Sequence, residues 1–301
     1  MKTEDFFSRF EKIALFHVGR FAQPSFDDYL MSEQHDWAAL KLFVRGYAFE
    51  HSGRVPLFPL LAEEICSELS VQGWELRKSK TAAEAWERFK KSAKAYKLNP
   101  MNNPLAPRDI EFRQRGKKHR TQGCSAIEFV CDADRGDIIS WTRTMLNNRV
   151  REAHSDLISI NGIGNKIASL WLRDVAVRFG VMPYDKDDRW LLFPVDIWVR
   201  RIVAILTPNK KFKNDEDVAK WCVKECGETF SPEKVNMGFW YFGAQIAETE
   251  DLMKKALKDN QLKRFDELVS EHHRRLRGAV KQYEADSSSA VEAVEHLPLI
   301  Q

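Results

Sequence analysis

Between two apolar helical stretches the chain reads Ile160-Asn161-Gly162-Ile163-Gly164-Asn165-Lys166-Ile167-Ala168. The residue types of this turn suit the binding of an anion. Two glycines one residue apart permit a left-handed backbone and close approach by another molecule, while Ile163 between them can plug the space between the helices. The N–H groups of Gly164 and its followers have no partner inside the second helix and stand at its positive end. They therefore form a phosphate site without any basic side chain. Lys166 falls in the first turn of that helix, where the macrodipole disfavours a cation. Such a lysine either meets a phosphate or works as a neutral amine, its pKa pushed down by the dipole and by burial as a nucleophile requires. The plainer alternative is a solvated lysine turned away. Thirty residues on, Pro194-Val195-Asp196-Ile197 sets a carboxylate at a helix start. Asp196 there caps the helix, and the same carboxylate beside an amine can stabilise a developing cation.

Helices must position these groups. Apolar residues at spacings of three and four mark helices near 3–17, 36–50, 56–71, 80–97, 137–158, 165–179, 196–206, 215–227, 232–257 and 261–284. The helix before the turn carries Trp141, Met145, Leu146, Val150, Ala153 and Leu157, and the one after it carries Ile167, Leu170, Trp171 and Val175. No pair of alternating runs is joined by a hairpin turn, and residues 98–121, with Pro100, Pro104 and Pro107, read as a long basic loop. No fixed-period repeat is visible. The expectation is a compact all-α unit over residues 1–284, comprising a helix-hairpin-helix at 141–179, an Asp196 helix at 194–206 and the basic loop. A flexible tail, 285–301, follows the Ser287-Ser288-Ser289 run.

Charge singles out one segment. The 301 residues hold 47 Lys+Arg against 44 Asp+Glu, a net of only +3, yet Leu76 to Thr121 alone has 14 basic and 4 acidic residues. A basic stretch on an otherwise acidic chain points to a polyanionic partner, because phosphate contacts release condensed counterions. The alternative is a solvated helix face followed by a charged loop. No apolar run approaches the roughly 20 residues of a bilayer span. Lys2, Glu4, Asp5, Arg9 and Glu11 interrupt the start before a secretory segment develops, so a cytoplasmic protein is expected. Five cysteines (66, 124, 131, 222 and 226) show no disulfide-scaffold spacing. Cys222 and Cys226 lack a second ligand pair and read as buried helix thiols.

The run Gly162-Ile163-Gly164-Asn165-Lys166-Ile167-Ala168, then Pro194-Val195-Asp196 and a helix bearing Arg201, resembles the helix-hairpin-helix superfamily of DNA glycosylases. That superfamily includes endonuclease III and the 8-oxoguanine DNA glycosylases, and the likeness covers roughly residues 141–206. It implies a two-lobed all-α fold with the active site between the lobes. It also implies a DNA glycosylase with associated β-lyase activity, in which Lys166 attacks the anomeric carbon and Asp196 assists. The long Lys-to-Asp interval is similar to that of archaeal 8-oxoguanine glycosylases, which favours an 8-oxoguanine-like base. Gly162, Gly164, Asn165 and Arg201 are then expected to hold DNA phosphates, and the charge of the basic loop adds Lys117, Lys118 and Arg120.

For the base pocket the aromatic stretch Met237 to Gln245 offers Trp240, Tyr241 and Gln245, with Trp198 two residues after the Asp; such a stripe also reads as plain core. No metal is expected, and no iron–sulfur cluster, since no Cys follows Cys226. A monovalent cation at the hairpin is compatible with the pattern. The implied partner is double-stranded DNA containing a damaged or modified base, bound by a monomer. The alternatives are a non-catalytic helix-hairpin-helix DNA-binding protein, a glycosylase for a hypermodified base, and a helical interaction protein that turns on glycine.

Overall fold

Apolar periodicity of three and four builds helices along nearly the whole chain. The structure, a computed structural model, describes residues 3–19, 23–49, 56–100, 103–114, 117–131, 136–257 and 262–295. The elements run α1 (Thr3–His17), α2 (Gln23–Met31), α3 (His35–Phe43), α4 (Leu57–Val71), α5 (Ser79–Ala95), β1 (Glu111–Gln114), β2 (Lys117–Arg120) and α6 (Ala126–Cys131). They continue as α7 (Ile138–Asn148), α8 (Val150–Ile158), α9 (Asn165–Phe179), α10 (Ile197–Leu206), α11 (Asp215–Cys226), α12 (Pro232–Tyr241), α13 (Glu250–Leu257) and α14 (Leu262–Glu295). Among the described residues no helix is long and apolar enough to cross a membrane.

Several boundaries differ from the periodicity. The helix expected over 137–158 breaks at Arg149, whose φ of −142° ends α7 and begins α8. The one expected over 232–257 is interrupted by a π-helical turn at Phe242–Ala247 and by Glu248 at φ 59°. The mostly helical chain is compatible with the all-α expectation; what differs is the basic loop, which folds in part as an antiparallel β1–β2 ribbon. Its eight residues include a single apolar side chain, Phe112, so no period-two signal exists to be read. At the other end α14 runs through the serine cluster to Glu295, where a tail from 285 was expected. Serine costs a helix little, and Ala285, Ala290 and Ala293 are the best helix formers. Residues 296–301 lie outside the described residues.

Buried apolar side chains form two cores. The first gathers residues from Phe26 to Leu192, with Trp171 of α9 wedged against Phe43 and Tyr47 at ring distances of 5.0 and 4.9 Å. The second unites α1 with the segments after Phe193. Its centre is aromatic, with Phe10 edge-on to Phe239 at 4.5 Å and Phe242 stacked on Phe265 at 4.5 Å. Such pairs add to what burial of the rings already contributes. The chain's first helix and its last third therefore belong together, and α9 lies along the junction of the two cores.

Close approach of α1 and α12 depends on Gly238, where a Cβ would collide with the Phe10 carbonyl. Gly238→Ala is expected to lower unfolding stability by about 1–3 kcal/mol through overpacking, read as a fall in the urea midpoint at unchanged slope. An unchanged midpoint would mean that the two helices separate at no cost.

Candidate active site

The hairpin is built locally. Ile160 and Ile163 close two turns after α8, their amides donating to the Leu157 carbonyl at 3.1 Å and the Ile160 carbonyl at 3.0 Å. Gly162 takes φ 77°, a left-handed conformation that side chains resist. Ile163 is buried between the helices. Gly164 is the extended N-terminal cap of α9, so Asn165 and Lys166 occupy its first turn, both exposed. Their amides and that of Ile167 have no acceptor one turn earlier within the helix. The Lys166 side chain is thus exposed, where burial was expected.

Asp196 caps α10, its Oδ1 accepting from the Val199 amide at 2.9 Å. Lys166 and Asp196 line one cavity of about 290 Å³ between the two cores. The same face of α9 contributes Leu170, Arg173 and Asp174. Gly46 and Tyr47 enter from the turn after α3, and His17, Pro194, Val199, Asn236 and Trp240 complete the wall from the second core's side. Lys166 also borders a second cavity of about 290 Å³, behind α9, with His154, Ser169, Trp190 and the start of α11.

The floor of the first cavity is polar and buried. Arg173, 1% exposed, donates from Nε to Asp174 at 2.8 Å and from one terminal nitrogen to the Asn236 side-chain oxygen at 2.6 Å. Its other terminal nitrogen lies 2.7 Å from the Asp174 carboxylate and 3.2 Å from His17 Nε2. Tyr47 donates its hydroxyl to Asp174 at 3.0 Å, and Asn236 donates to the Pro194 carbonyl at 3.0 Å. The network joins α9 to α1 and α12, and so ties the two cores beneath the cavity. A guanidinium and a carboxylate held this way are neutral overall and leave a rim of fixed dipoles for a polar ligand.

Burial, reinforced by the Arg173 charge and opposed by Asp174, lowers the His17 pKa to about 4. Burial and then Asp174 hold the Tyr47 hydroxyl well above its usual range. The unfolded chain therefore takes up the His17 proton first, near pH 6.5, so stability is full above that pH and falls as pH drops towards 4. The loss reaches about 3 kcal/mol. His17→Gln is expected to flatten that part of a pH series of urea midpoints. A slope unchanged between pH 7 and 4 would remove His17 as its source; His154, whose pKa burial also lowers, titrates in the same direction in both proteins.

Not every residue expected at the site is there. Trp240 lines the cavity, edge-on to His17 at 5.3 Å. Tyr241, one step of about 100° further round α12, turns into the second core, where it stacks on Phe16 and shares a 3.1 Å hydrogen bond with His272. Trp198 packs against Gly243, with the Arg201 guanidinium 5.3 Å above its ring. Arg201 also lies 3.6 Å from Glu250, which partners its charge. Gln245 sits half-buried in the π-helical turn, outside the cavity wall. Lys117, Lys118 and Arg120 are exposed on β2, Arg120 at 3.3 Å from Glu111 and 3.9 Å from Asp109. Cys222 and Cys226 are buried helix thiols, and burial pushes Cys226 up to about 12. Among the described residues no group of three metal-binding side chains assembles.

His17, Tyr47, Arg173, Asp174 and Asn236 were not singled out from the sequence. One signal was present, because Arg173 and Asp174 stand seven and eight residues after Lys166, on its helix face, in an otherwise apolar stretch. Nothing local marks the other three.

No protein-family model matches the chain, and no solved structure matches it. It is similar to an uncharacterized protein of Methanocaldococcus jannaschii, MJECL21, with 26% identity over 42% of this chain. The match spans 38% of that relative's length.

Proposed function

We propose that this chain is a DNA glycosylase of the helix-hairpin-helix type with associated β-lyase activity, releasing an 8-oxoguanine-like or otherwise modified base from duplex DNA. The observation that carries this reading is the meeting of Lys166 and Asp196, thirty residues apart in sequence, on one cavity between two helical cores. The cavity lies near the lower end of the range for small-molecule sites, which suits a single base turned out of the helix.

The hairpin amides hold a phosphate beside the lesion while the extruded base lies against Trp240, over the Arg173–Asp174–Asn236 floor. Lys166, as the free amine, attacks C1′; the glycosidic bond breaks with its electron pair leaving on the base, which takes up a proton. The Asp196 carboxylate stabilises the positive charge that builds on the sugar as that bond lengthens. Opening of the sugar ring leaves an imine to Lys166. Loss of a C2′ proton then expels the 3′ phosphate and cuts the strand.

The test is a panel of duplexes carrying 8-oxoguanine, thymine glycol, uracil or a hypermodified cytosine, incubated with and without borohydride. Release of one base together with a trapped covalent complex is the expected result. Binding without release from any of them would favour the second reading, a non-catalytic DNA-binding module. The exposure of Lys166 is what speaks for that alternative, since an exposed lysine there suits a phosphate contact.

A further inference from the structure

We propose that the β1–β2 ribbon enters the major groove of duplex DNA next to the segment held by the hairpin. The proposal rests on duplex DNA being the partner. The ribbon is a two-stranded sheet whose register pairs Glu111 with Arg120, Phe112 with His119, Arg113 with Lys118 and Gln114 with Lys117. Every residue of β2 is exposed. A lone pair of strands is marginal in water, and among the described side chains it is supported across the strands by Phe112 on His119 at 5.5 Å and by Arg120 with Glu111 at 3.3 Å. An element so weakly supported by its own packing gains when a ligand covers it.

Its base, in contrast, is firmly tied. The Asp109 amide donates to the Thr121 carbonyl at 3.1 Å, and the Thr121 amide to the Ile110 carbonyl at 3.0 Å. The Thr121 hydroxyl accepts from the Ile110 amide at 2.8 Å and donates to the Pro107 carbonyl at 2.7 Å. Just beyond, the buried Asn161 side chain donates to the Ala106 and Gly123 carbonyls at 2.7 and 2.9 Å and accepts from the Gly123 amide at 3.0 Å. Asn161 immediately precedes Gly162, so one side chain locks the root of the ribbon to the phosphate-binding turn. The root of the ribbon and the glycine turn are therefore fixed to each other.

Charge identifies the occupant. The pleat places Lys118 and Arg120 on one face and Lys117 and His119 on the other. Arg120 is partly neutralised by Glu111 and Asp109, which leaves Lys117 and Lys118, one on each face, as the main charges of β2. A flat anionic surface such as a membrane meets only one face of a ribbon. A groove of duplex DNA presents phosphates along both walls. The major groove, about 12 Å wide, admits a two-stranded ribbon as it stands, whereas the minor groove, about 6 Å wide, takes strands at the cost of deforming the duplex.

The full chain carrying Lys117→Ala and Lys118→Ala is compared with wild type by equilibrium binding to a duplex across a salt series. Two lost phosphate contacts are expected to reduce the slope of log K against log salt by roughly 2. Dimethyl sulfate probing of guanine N7, which faces the major groove, is expected to show protection beside the lesion by wild type that the variant loses. An unchanged slope, or N7 protection identical in both proteins, overturns the proposal, as does a preference for phosphatidylserine vesicles over duplex. The two readings fail separately. Base release with an unchanged slope removes the ribbon's role alone, whereas a reduced slope without release from any lesion removes the glycosylase reading and keeps the ribbon as a groove-binding element.

Discussion

Lys166→Gln is expected to abolish borohydride-dependent cross-linking to a lesion-bearing duplex and to slow single-turnover base release by at least about 10³-fold. Glutamine is one bond shorter and uncharged but still polar, and the lone pair of its amide nitrogen is delocalised and cannot form a bond with C1′. The substitution is structurally mild because Lys166 is exposed in the first turn of α9, so the fold and the Gly162–Gly164 turn survive it. DNA affinity at low salt is expected to fall only slightly, since the turn binds phosphate through backbone amides. Cross-linking that persists in the variant would remove Lys166 from the nucleophile's role. Asp196→Asn is its natural companion. The amide oxygen can still accept from the Val199 amide and keep the α10 cap, so the variant isolates the charge. A loss of about 10²-fold in base release is expected, and full retention would sink the electrostatic assignment of Asp196.

The second large effect concerns the cavity floor. Asp174→Ala is expected to destabilise the protein by about 3–5 kcal/mol, because it strands a buried guanidinium without its counter-charge. Arg173 is 1% exposed, and its bonds to Asn236 and His17 are to neutral acceptors. The Tyr47 hydroxyl loses its acceptor in the same substitution. Replacing both members of the pair, as in Arg173→Met with Asp174→Leu, is expected to cost much less, because no charge is then left in the interior. Urea unfolding of the single and double variants decides this. A loss below about 1 kcal/mol in Asp174→Ala would mean that solvent reaches Arg173, and the floor would then not be the dry, fixed surface that the proposed base recognition requires.

The parts of this site that were legible in the sequence are those that a few consecutive residues decide. Gly162 must be glycine because the turn needs φ 77° there. Asp196 heads its helix because a carboxylate satisfies an amide three residues on. The helix near 3–17 was legible from its spacing, but which core its buried residues Phe6, Phe7, Phe10 and Ile13 join was not. Lys166 is exposed where burial was expected, because exposure at the start of a helix depends on which other elements pack there. Trp240 and Tyr241 look equivalent in an aromatic run, and the rotation of α12 sends one to the cavity and the other to the core.

The sequence by itself therefore determined the helices, the glycine turn, the cap and the concentration of positive charge, all of which follow from hydrogen bonds and side-chain directions within about one turn of backbone. Only the tertiary structure decided that α1 packs with the last third of the chain. That pairing brings His17 and Asn236 to Arg173, and Lys166 and Asp196 to one cavity. It also decided that the basic segment would fold in part as a ribbon locked to the hairpin by Asn161. The physical reason is common to all of these. A cavity is the space that packed helices fail to fill, and which side chains border it depends on contacts between residues far apart along the chain, about which no short stretch of sequence carries information.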